Sequence, residues 1–256
     1  MSGSVQEYRY LGAVRLVEPC LGTMISSGFR LEGTGTTWFA NRSGVWVVET
    51  ATGLEAHRNS FSAPPATPAA RSLTFDVRAI SSSATWLSRA FKLTMPRPPR
   101  DRTTDLFTPM PVVISPSPAY TARCTWAQVR ISVRLAPTTA QPSGIPLEGV
   151  VLRSSITGMN SITTQTDARG EALLPLPGLP LFHAGTGTGA VLDPKTSVRI
   201  FAIFDRAATD PVTGLRRSLV DPDDVWARRT SLVSVSPRIV IGAGEQQNLV
   251  IDIPRS

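Results

Sequence analysis

The chain has 256 residues, about twice the commonest domain size, and its 41% hydrophobic residues are enough for two packed cores. Its 22 prolines and 19 glycines exclude long helices, because both residues destabilise a helix interior. The formal net charge of +7 comes from arginines that are scattered along the chain, with doublets only at Arg216-Arg217 and Arg228-Arg229, and this scatter argues against a nucleic-acid-binding protein.

The first part of the chain alternates apolar and polar residues in short segments, as half-buried β-strands do. The predicted strands cover residues 8–17, 28–31, 36–40, 44–48, 73–80 and 90–95. A polar turn at residues 41–44, which ends in Gly44, joins two of these strands as a hairpin. We therefore predict a β-sandwich domain over residues 1–95.

Proline dominates the next segment, residues 96–123. Such a composition favours the extended polyproline II conformation, which has no hydrogen-bonded partner strand. The middle of the segment, residues 110–114, is apolar and should lie along a surface. We predict a linker that docks against the two domains it joins.

The last part of the chain again has alternating segments. The predicted strands cover residues 129–135, 149–153, 162–166, 172–178, 197–204 and 248–253. They define a second β-sandwich domain over residues 124–256, with loop insertions near residues 183–195 and 205–230.

The two parts repeat one order of motifs. Each has a strand, then Leu-Glu-Gly at residues 31–33 or 147–149, then a polar turn that ends in Gly44 or Gly170, then another strand. Eleven positions separate Gly33 from Gly44, and 21 separate Gly149 from Gly170. The second copy would therefore carry an insertion of about ten residues.

Two segments of the second domain carry a family resemblance. Residues 144–152 read GIPLEGVVL, and residues 166–177 read TDARGEALLPLP. They resemble the carboxypeptidase regulatory-like, transthyretin-like β-sandwich modules, whose motifs are Gly-X-Pro-Leu-X-Gly-Val and Thr-Asp-X-X-Gly-X-Ala. The first domain is similar as a divergent copy, with Asn41 in place of the Asp and Trp46 in place of the Ala.

The resemblance implies an all-β chain of two Ig-like or transthyretin-like sandwiches. It also implies a role without catalysis. Modules of this kind serve as spacers and binding platforms that are appended to peptidases, repeated along bacterial surface proteins or built into tail-like particles.

Few side chains suit catalysis or a metal site. His57 and His183 have no second His or Cys at metal-ligand spacing, and no nucleophile motif is present. Cys20 and Cys124 fall in different predicted domains and are expected to be two reduced thiols. The glycine-rich residues 184–190 lack the helix that a phosphate-binding loop requires, so no cofactor is predicted.

Five aspartates of the second insertion could ligate calcium. They are Asp205, Asp210, Asp221, Asp223 and Asp224. Arginines are interleaved with them, so local ion pairs and a capped short helix at residues 225–228 explain them as well. We predict no metal and keep calcium as the alternative.

Tryptophans could form an aromatic platform for sugars. Trp38 and Trp46 fall on one predicted hairpin, where core packing is the usual reason for tryptophan. The candidates for partner binding are Trp86, Trp226, Arg216 and Arg217.

Residues 1–10 contain Glu7 and Arg9 and no apolar core of signal-peptide length, and no later segment has the run of apolar residues that a membrane span requires. We therefore expect synthesis in the cytoplasm and no signal peptide.

These observations predict a non-catalytic structural or adaptor protein that works through protein–protein contacts in a larger assembly. A phage-tail-like or contractile injection particle is the first class we name, with other subunits, or further copies of the chain, as partners. The alternative is a module that binds carbohydrate or the cell envelope. An enzyme, with the histidines as acid–base groups, is the third hypothesis.

Overall fold

The computed structural model describes residues 10–59, 65–96, 108–180 and 195–255. Within these ranges the chain forms 16 β-strands and two helices of four and six residues. The predicted all-β fold is confirmed. No helix in the described ranges is long and apolar enough to cross a membrane. His183 and nearly all of the predicted 183–195 insertion lie outside the described residues.

The chain divides into two compact units, and each is assembled from separate segments. Unit 1 comprises Met1–Val17, Thr23–Ser82 and Ala90–Val113, and unit 2 comprises Glu18–Gly22, Ser83–Arg89 and Ile114–Ser256. This division differs from the predicted one at 1–95, 96–123 and 124–256. The reason is that contacts between distant segments decide which unit a short segment joins, and local sequence patterns do not report such contacts.

Unit 1 is built on one sheet. Its elements are β1 (Gly12–Val17), β2 (Phe29–Gly33), β3 (Thr36–Ala40), β4 (Trp46–Ala51), α1 (Glu55–Arg58), β5 (Leu73–Ser81), β6 (Arg89–Met95) and β7 (Met110–Val113). The strand order is β6-β5-β2-β3-β4-β1-β7. β1 pairs on both sides, with β4 and β7, and five of its six residues are buried, Val14 and Leu16 completely.

Strand β7 corrects the polyproline II prediction for residues 110–113. It pairs in parallel with β1, from Val14 opposite Met110 to Val17 opposite Val113. Its valines favour extended pairing. Pro111, which has no N–H to donate, is tolerated because β7 is an edge strand.

Unit 2 contains two sheets. Its elements are β8 (Ala127–Leu135), β9 (Ile145–Pro146), β10 (Val151–Ser155), β11 (Thr163–Gln165), β12 (Glu171–Leu176), β13 (Thr196–Phe204), α2 (Pro222–Ala227), β14 (Val233–Val235), β15 (Arg238–Ile241) and β16 (Gln246–Ile253). One sheet has the order β11-β10-β13-β14, with β15 also paired to β13. The other has the order β12-β8-β16, with β9 also paired to β8. Alternate residues of both sheets, such as Ile131 and Ile200, form the core.

Both units use the same strand order. The order of unit 1 is repeated in unit 2 as β14-β13-β10-β11 in one sheet and β12-β8-β16 in the other. In each unit the first strand pairs antiparallel with β4 or β12 and parallel with the last strand, β7 or β16. The difference is that β3 pairs with β4, whereas β11 and β12 lie in separate sheets. The repeat of motifs in the sequence thus corresponds to a repeat of topology.

The polar turns of the two units also match in their hydrogen bonds. The Oδ1 atom of Asn41 accepts from the backbone N–H groups two and four residues later, both at 2.9 Å. Asp167 does the same at 2.9 and 3.0 Å. The fourth residue of each turn, Gly44 or Gly170, has a φ of 76° or 72°, in the left-handed region that favours glycine. Asn41 therefore performs the structural role of Asp167 in the divergent copy.

Candidate interaction surface

A hairpin loop follows β13 and spans residues 205–217; we call it the 205–217 loop. The backbone N–H of Asp210 donates to the carbonyl of Leu215 at 2.9 Å, and that of Gly214 donates to the carbonyl of Asp210 at 2.8 Å. Near its base, the N–H of Arg217 donates to the carbonyl of Ala208 at 2.7 Å. These bonds give the loop a defined conformation of its own.

The loop is fastened to the rest of unit 2 through Glu148, a residue only 8% exposed. Its Oε1 lies 2.9 Å from Nε of Arg216, and its Oε2 accepts from the Arg216 backbone N–H at 3.2 Å. The backbone of Glu148 accepts from the Thr209 hydroxyl at 2.9 Å and donates to the Gly214 carbonyl at 2.8 Å. The guanidinium of Arg216, a predicted partner-binding residue, is therefore engaged in holding the loop in place.

The 205–217 loop displays apolar side chains. Val212 is 76% exposed and Leu215 is 50% exposed. Arg217, another predicted partner-binding residue, has a side chain 60% exposed whose nitrogen lies 3.7 Å from Asp210. The Val212 backbone N–H donates to Asp210 and lowers the pKa of that carboxyl, so Asp210 is ionised beside Arg217 at neutral pH.

The five aspartates considered for calcium are all engaged by arginines. Asp205 and Asp224 both pair with Arg228, Asp221 and Asp223 both pair with Arg89, and Asp210 pairs with Arg217. The hydrogen bond from Arg228 to Asp205 is the main cause of the raised pKa of that guanidinium. Among residues 10–59, 65–96, 108–180 and 195–255, no three His, Cys, Asp or Glu side chains are grouped so as to hold a metal ion.

Arg89, the first residue of β6, is assigned to unit 2, contacts the N-terminus of the short helix α2 and is only 3% exposed. Its Nη2 lies 2.9 Å from Oδ1 of Asp221 and 2.8 Å from Oδ2 of Asp223. Asp221 caps the helix by accepting from the Asp223 N–H at 3.1 Å, and Pro222 follows at the first helical position, where its missing N–H costs nothing. Burial raises the pKa of Asp221, and the charge of Arg89 opposes that rise.

Trp86 lies on the segment Ser83–Arg89 of unit 2. Its ring centroid is 5.1 Å from that of Tyr120, at an interplanar angle of 47°, and its backbone pairs with Pro116. The Gln165 side chain donates to the Ser88 carbonyl at 2.7 Å beside it. Trp86 is thus half-buried among unit 2 residues.

Trp226 is the centre of an arginine-rich cluster on the outer face of the β10–β13 sheet. The guanidinium carbons of Arg153 and Arg229 lie 4.2 and 4.7 Å from its ring centroid. Phe201 and Trp226 are in T-shaped contact, with ring centroids 5.6 Å apart and an interplanar angle of 76°. The guanidinium carbon of Arg199 lies 5.9 Å from the Phe201 centroid. Sequence reasoning identified Trp226 and missed these arginines, although Arg153 and Arg199 occupy polar positions of β10 and β13.

Both cysteines are free and both belong to unit 2, although the sequence placed them in different domains. Cys20 is half-buried, and burial together with the neighbouring Glu18 carboxylate raises the pKa of its thiol well above the usual range. Cys124 is exposed.

We expect one equivalent of iodoacetamide to react with the native chain at pH 8, at Cys124, because the thiolate is the reacting form. Cys20 should react only after unfolding in guanidinium chloride. Peptide mapping by mass spectrometry locates the label, and comparable native labelling of both cysteines would contradict this expectation.

His57 belongs to unit 1, where it is 3% exposed in α1. Its Nδ1 has no hydrogen-bond partner within the described part of the chain.

The sequence matches no protein-family model, and it matches no curated protein sequence. Two of the solved structures that are similar, both at low scores, are the following. The 5-hydroxyisourate hydrolase of Klebsiella pneumoniae has 16% identity and a TM-score of 0.28, over 51% of this chain and 91% of that chain. The TIE protein of Bacillus anthracis has 8% identity and a TM-score of 0.26, over 96% of this chain and 34% of that chain. At these scores, neither likeness assigns an activity or a family to this chain.

Proposed function

We propose that the chain is a non-catalytic structural or adaptor protein that works through protein–protein contacts in a larger assembly, with the 205–217 loop as a contact surface. The observation that carries the proposal is the combination of an anchored backbone with the exposed Val212 and Leu215. A loop that is already ordered loses little conformational entropy when a partner covers it. Its apolar side chains gain by leaving water.

The repeated strand order and the matching turns support assignment of both units to the transthyretin-like modules that the motifs resemble. Such modules are built for shape and contact. The assembly class we propose first is a phage-tail-like or contractile injection particle, with other subunits of that particle as partners.

Replacing the exposed apolar side chains of the loop should prevent assembly without unfolding the chain. The double variant Val212→Ser/Leu215→Ser should fold normally, since both side chains are exposed. It should no longer sediment with the particle fraction. We expect the tagged wild-type chain to co-sediment with particles visible by electron microscopy, and the variant to sediment as the free chain.

The matched control is Val250→Ser, which changes a valine 56% exposed on β16 and should leave sedimentation unchanged. A wild-type chain that sediments alone, with no partner, contradicts the proposed function. Equal losses in the control and the loop variant contradict the role of the loop.

Carbohydrate binding is the second candidate, and the half-exposed Trp226 on the outer sheet face is the observation in its favour. Two guanidinium groups lie over its ring, so a sugar that stacks on Trp226 would have to compete with them for that position. Binding on a glycan array that disappears in Trp226→Ala would favour this candidate over the adaptor.

A further inference from the structure

The cluster around Trp226 belongs to a larger surface of unit 2, which we call the Arg–Trp face. It consists of Arg153, Arg199, Phe201, Trp226, Arg229 and Arg238. On β13, Val198 and Ile200 are fully buried in the core, so Arg199 and Phe201 point to the opposite, outer side of the sheet.

Strand register brings the positive charges of this face close together. Arg199 lies directly opposite Arg238 on β15, and Phe201 lies directly opposite Arg153 on β10. Side chains directly opposite each other share a face, with Cβ atoms about 5 Å apart, and diagonal neighbours are about 7–8 Å apart. The face therefore carries a compact row of three guanidinium groups, with Arg229 of the α2 region beside them.

These charges have no acidic partner in the described part of the chain, since no ion pair involves Arg153, Arg199, Arg229 or Arg238. Other arginines of unit 2 do have such partners: Arg216 pairs with Glu148, and Arg228 pairs with Asp205. Like charges directly opposite on a sheet are destabilising, so the Arg199–Arg238 pair costs stability in the free chain. A bound anion would remove that cost.

The contacts of the aromatic rings indicate which anion suits the face. Nucleic-acid platforms stack bases on open ring faces. Here two guanidinium groups lie over Trp226, and Phe201 is in T-shaped contact with Trp226 and has the guanidinium of Arg199 over its ring. Arg229 already donates from Nη1 to the Trp226 carbonyl at 3.0 Å. The guanidinium groups of Arg153, Arg199 and Arg238 offer N–H edges whose planar fork matches a carboxylate.

We propose that the Arg–Trp face binds an acidic segment of a partner protein, through carboxylates held by Arg153, Arg199 and Arg238. Arginine and tryptophan are the residues most enriched at the energetic centres of protein interfaces. The proposal rests on the proposed function in taking a protein as the partner, and it adds a second surface and the chemistry of what that surface binds.

The test is fluorescence anisotropy of a fluorescein-labelled oligoglutamate peptide titrated with the purified chain at low salt. We expect saturable binding that weakens as salt rises, and a loss of about tenfold in affinity in Arg153→Gln/Arg199→Gln. A second variant, Arg199→Gln/Arg238→Gln, should show a similar loss, and it leaves the Arg153–Trp226 contact intact. A thermal melt confirms that each variant is folded.

The matched control is Arg30→Gln/Arg78→Gln in unit 1, which removes the same charge from side chains 69% and 60% exposed that pair with Glu32. It should bind the peptide within twofold of wild type. An equal loss in the control, or no binding by the wild type, overturns the proposal. Tighter binding of an oligothymidylate or a heparin oligosaccharide, lost in the same face variants, also overturns it in favour of that ligand.

The loop variant Val212→Ser/Leu215→Ser separates this proposal from the proposed function, because it should keep full peptide affinity while leaving the particle fraction. Loss of peptide binding in the loop variant would contradict the assignment of binding to the Arg–Trp face.

Discussion

Replacing Arg89 with methionine should lower the free energy of unfolding of unit 2 by about 3 kcal/mol. Methionine fills much of the volume of the arginine stem but leaves Asp221, whose side chain is 16% exposed, without its guanidinium partner. Removing one member of a buried ion pair is costly because the remaining charge stays desolvated. The N-terminus of α2, which Asp221 caps, is the structure most directly affected.

The loss of stability in Arg89→Met should depend on pH through the ionisation of Asp221. Burial already raises the pKa of this carboxyl in the folded state, so protonation favours folding. Without Arg89 that pKa rises further. The loss of stability is then largest above the raised folded pKa and shrinks as the pH falls through it, because a protonated Asp221 needs no cationic partner.

Urea denaturation at pH 7 and at pH 5 measures both effects. Arg78→Met is the control, since it breaks an exposed pair with Glu32 and should cost less than about 1 kcal/mol. Arg89→Met/Asp221→Asn should recover part of the loss, because asparagine caps a helix without a charge. The buried-pair explanation fails if Arg89→Met costs no more than Arg78→Met.

Local patterns in the sequence located most strands. Residues 73–80, which alternate strictly, form most of β5 (Leu73–Ser81), and residues 129–135 form the end of β8 (Ala127–Leu135). The turns at Asn41 and Asp167 were found because their chemistry is contained within five residues. Alternation within one strand and hydrogen bonds within one turn can be identified without knowing the rest of the fold.

Long-range contacts account for what the sequence did not predict. Strand β7 forms because it pairs in parallel with β1, which lies nearly a hundred positions earlier in the chain. Glu148 occupies a variable position of the motif it belongs to, and its importance comes from Arg216, 68 residues away. The cluster on the outer face of β10 and β13 could not be predicted, because it depends on the strand register that places Arg153 opposite Phe201 and Arg199 opposite Arg238.

Replacing Gly214 with alanine should also cost about 3 kcal/mol, and it should release the 205–217 loop. The φ of Gly214 is 75°, which costs an L-residue roughly 1–2 kcal/mol. In addition, an added Cβ would overlap the Pro146 carbonyl oxygen and lie 2.9 Å from Cγ2 of Ile145. Because the Pro146 oxygen belongs to the backbone, the clash is relieved only when the loop shifts away from the Glu148 anchor.

Gly158→Ala separates backbone strain from this clash. Gly158 has a φ of 79°, and an added Cβ there meets nothing within 4 Å, so its cost should be only the strain of roughly 1–2 kcal/mol. Denaturation curves give the loss of stability in each variant. The rate of tryptic cleavage measures release of the loop, because trypsin can cut after Arg216 and Arg217 once Glu148 no longer holds the loop in place. Faster cleavage in Gly214→Ala alone, together with loss of the particle fraction, would tie assembly to the anchored conformation of the loop. If the two alanine variants are equally stable and equally resistant, the close approach to Pro146 does not hold the loop in place.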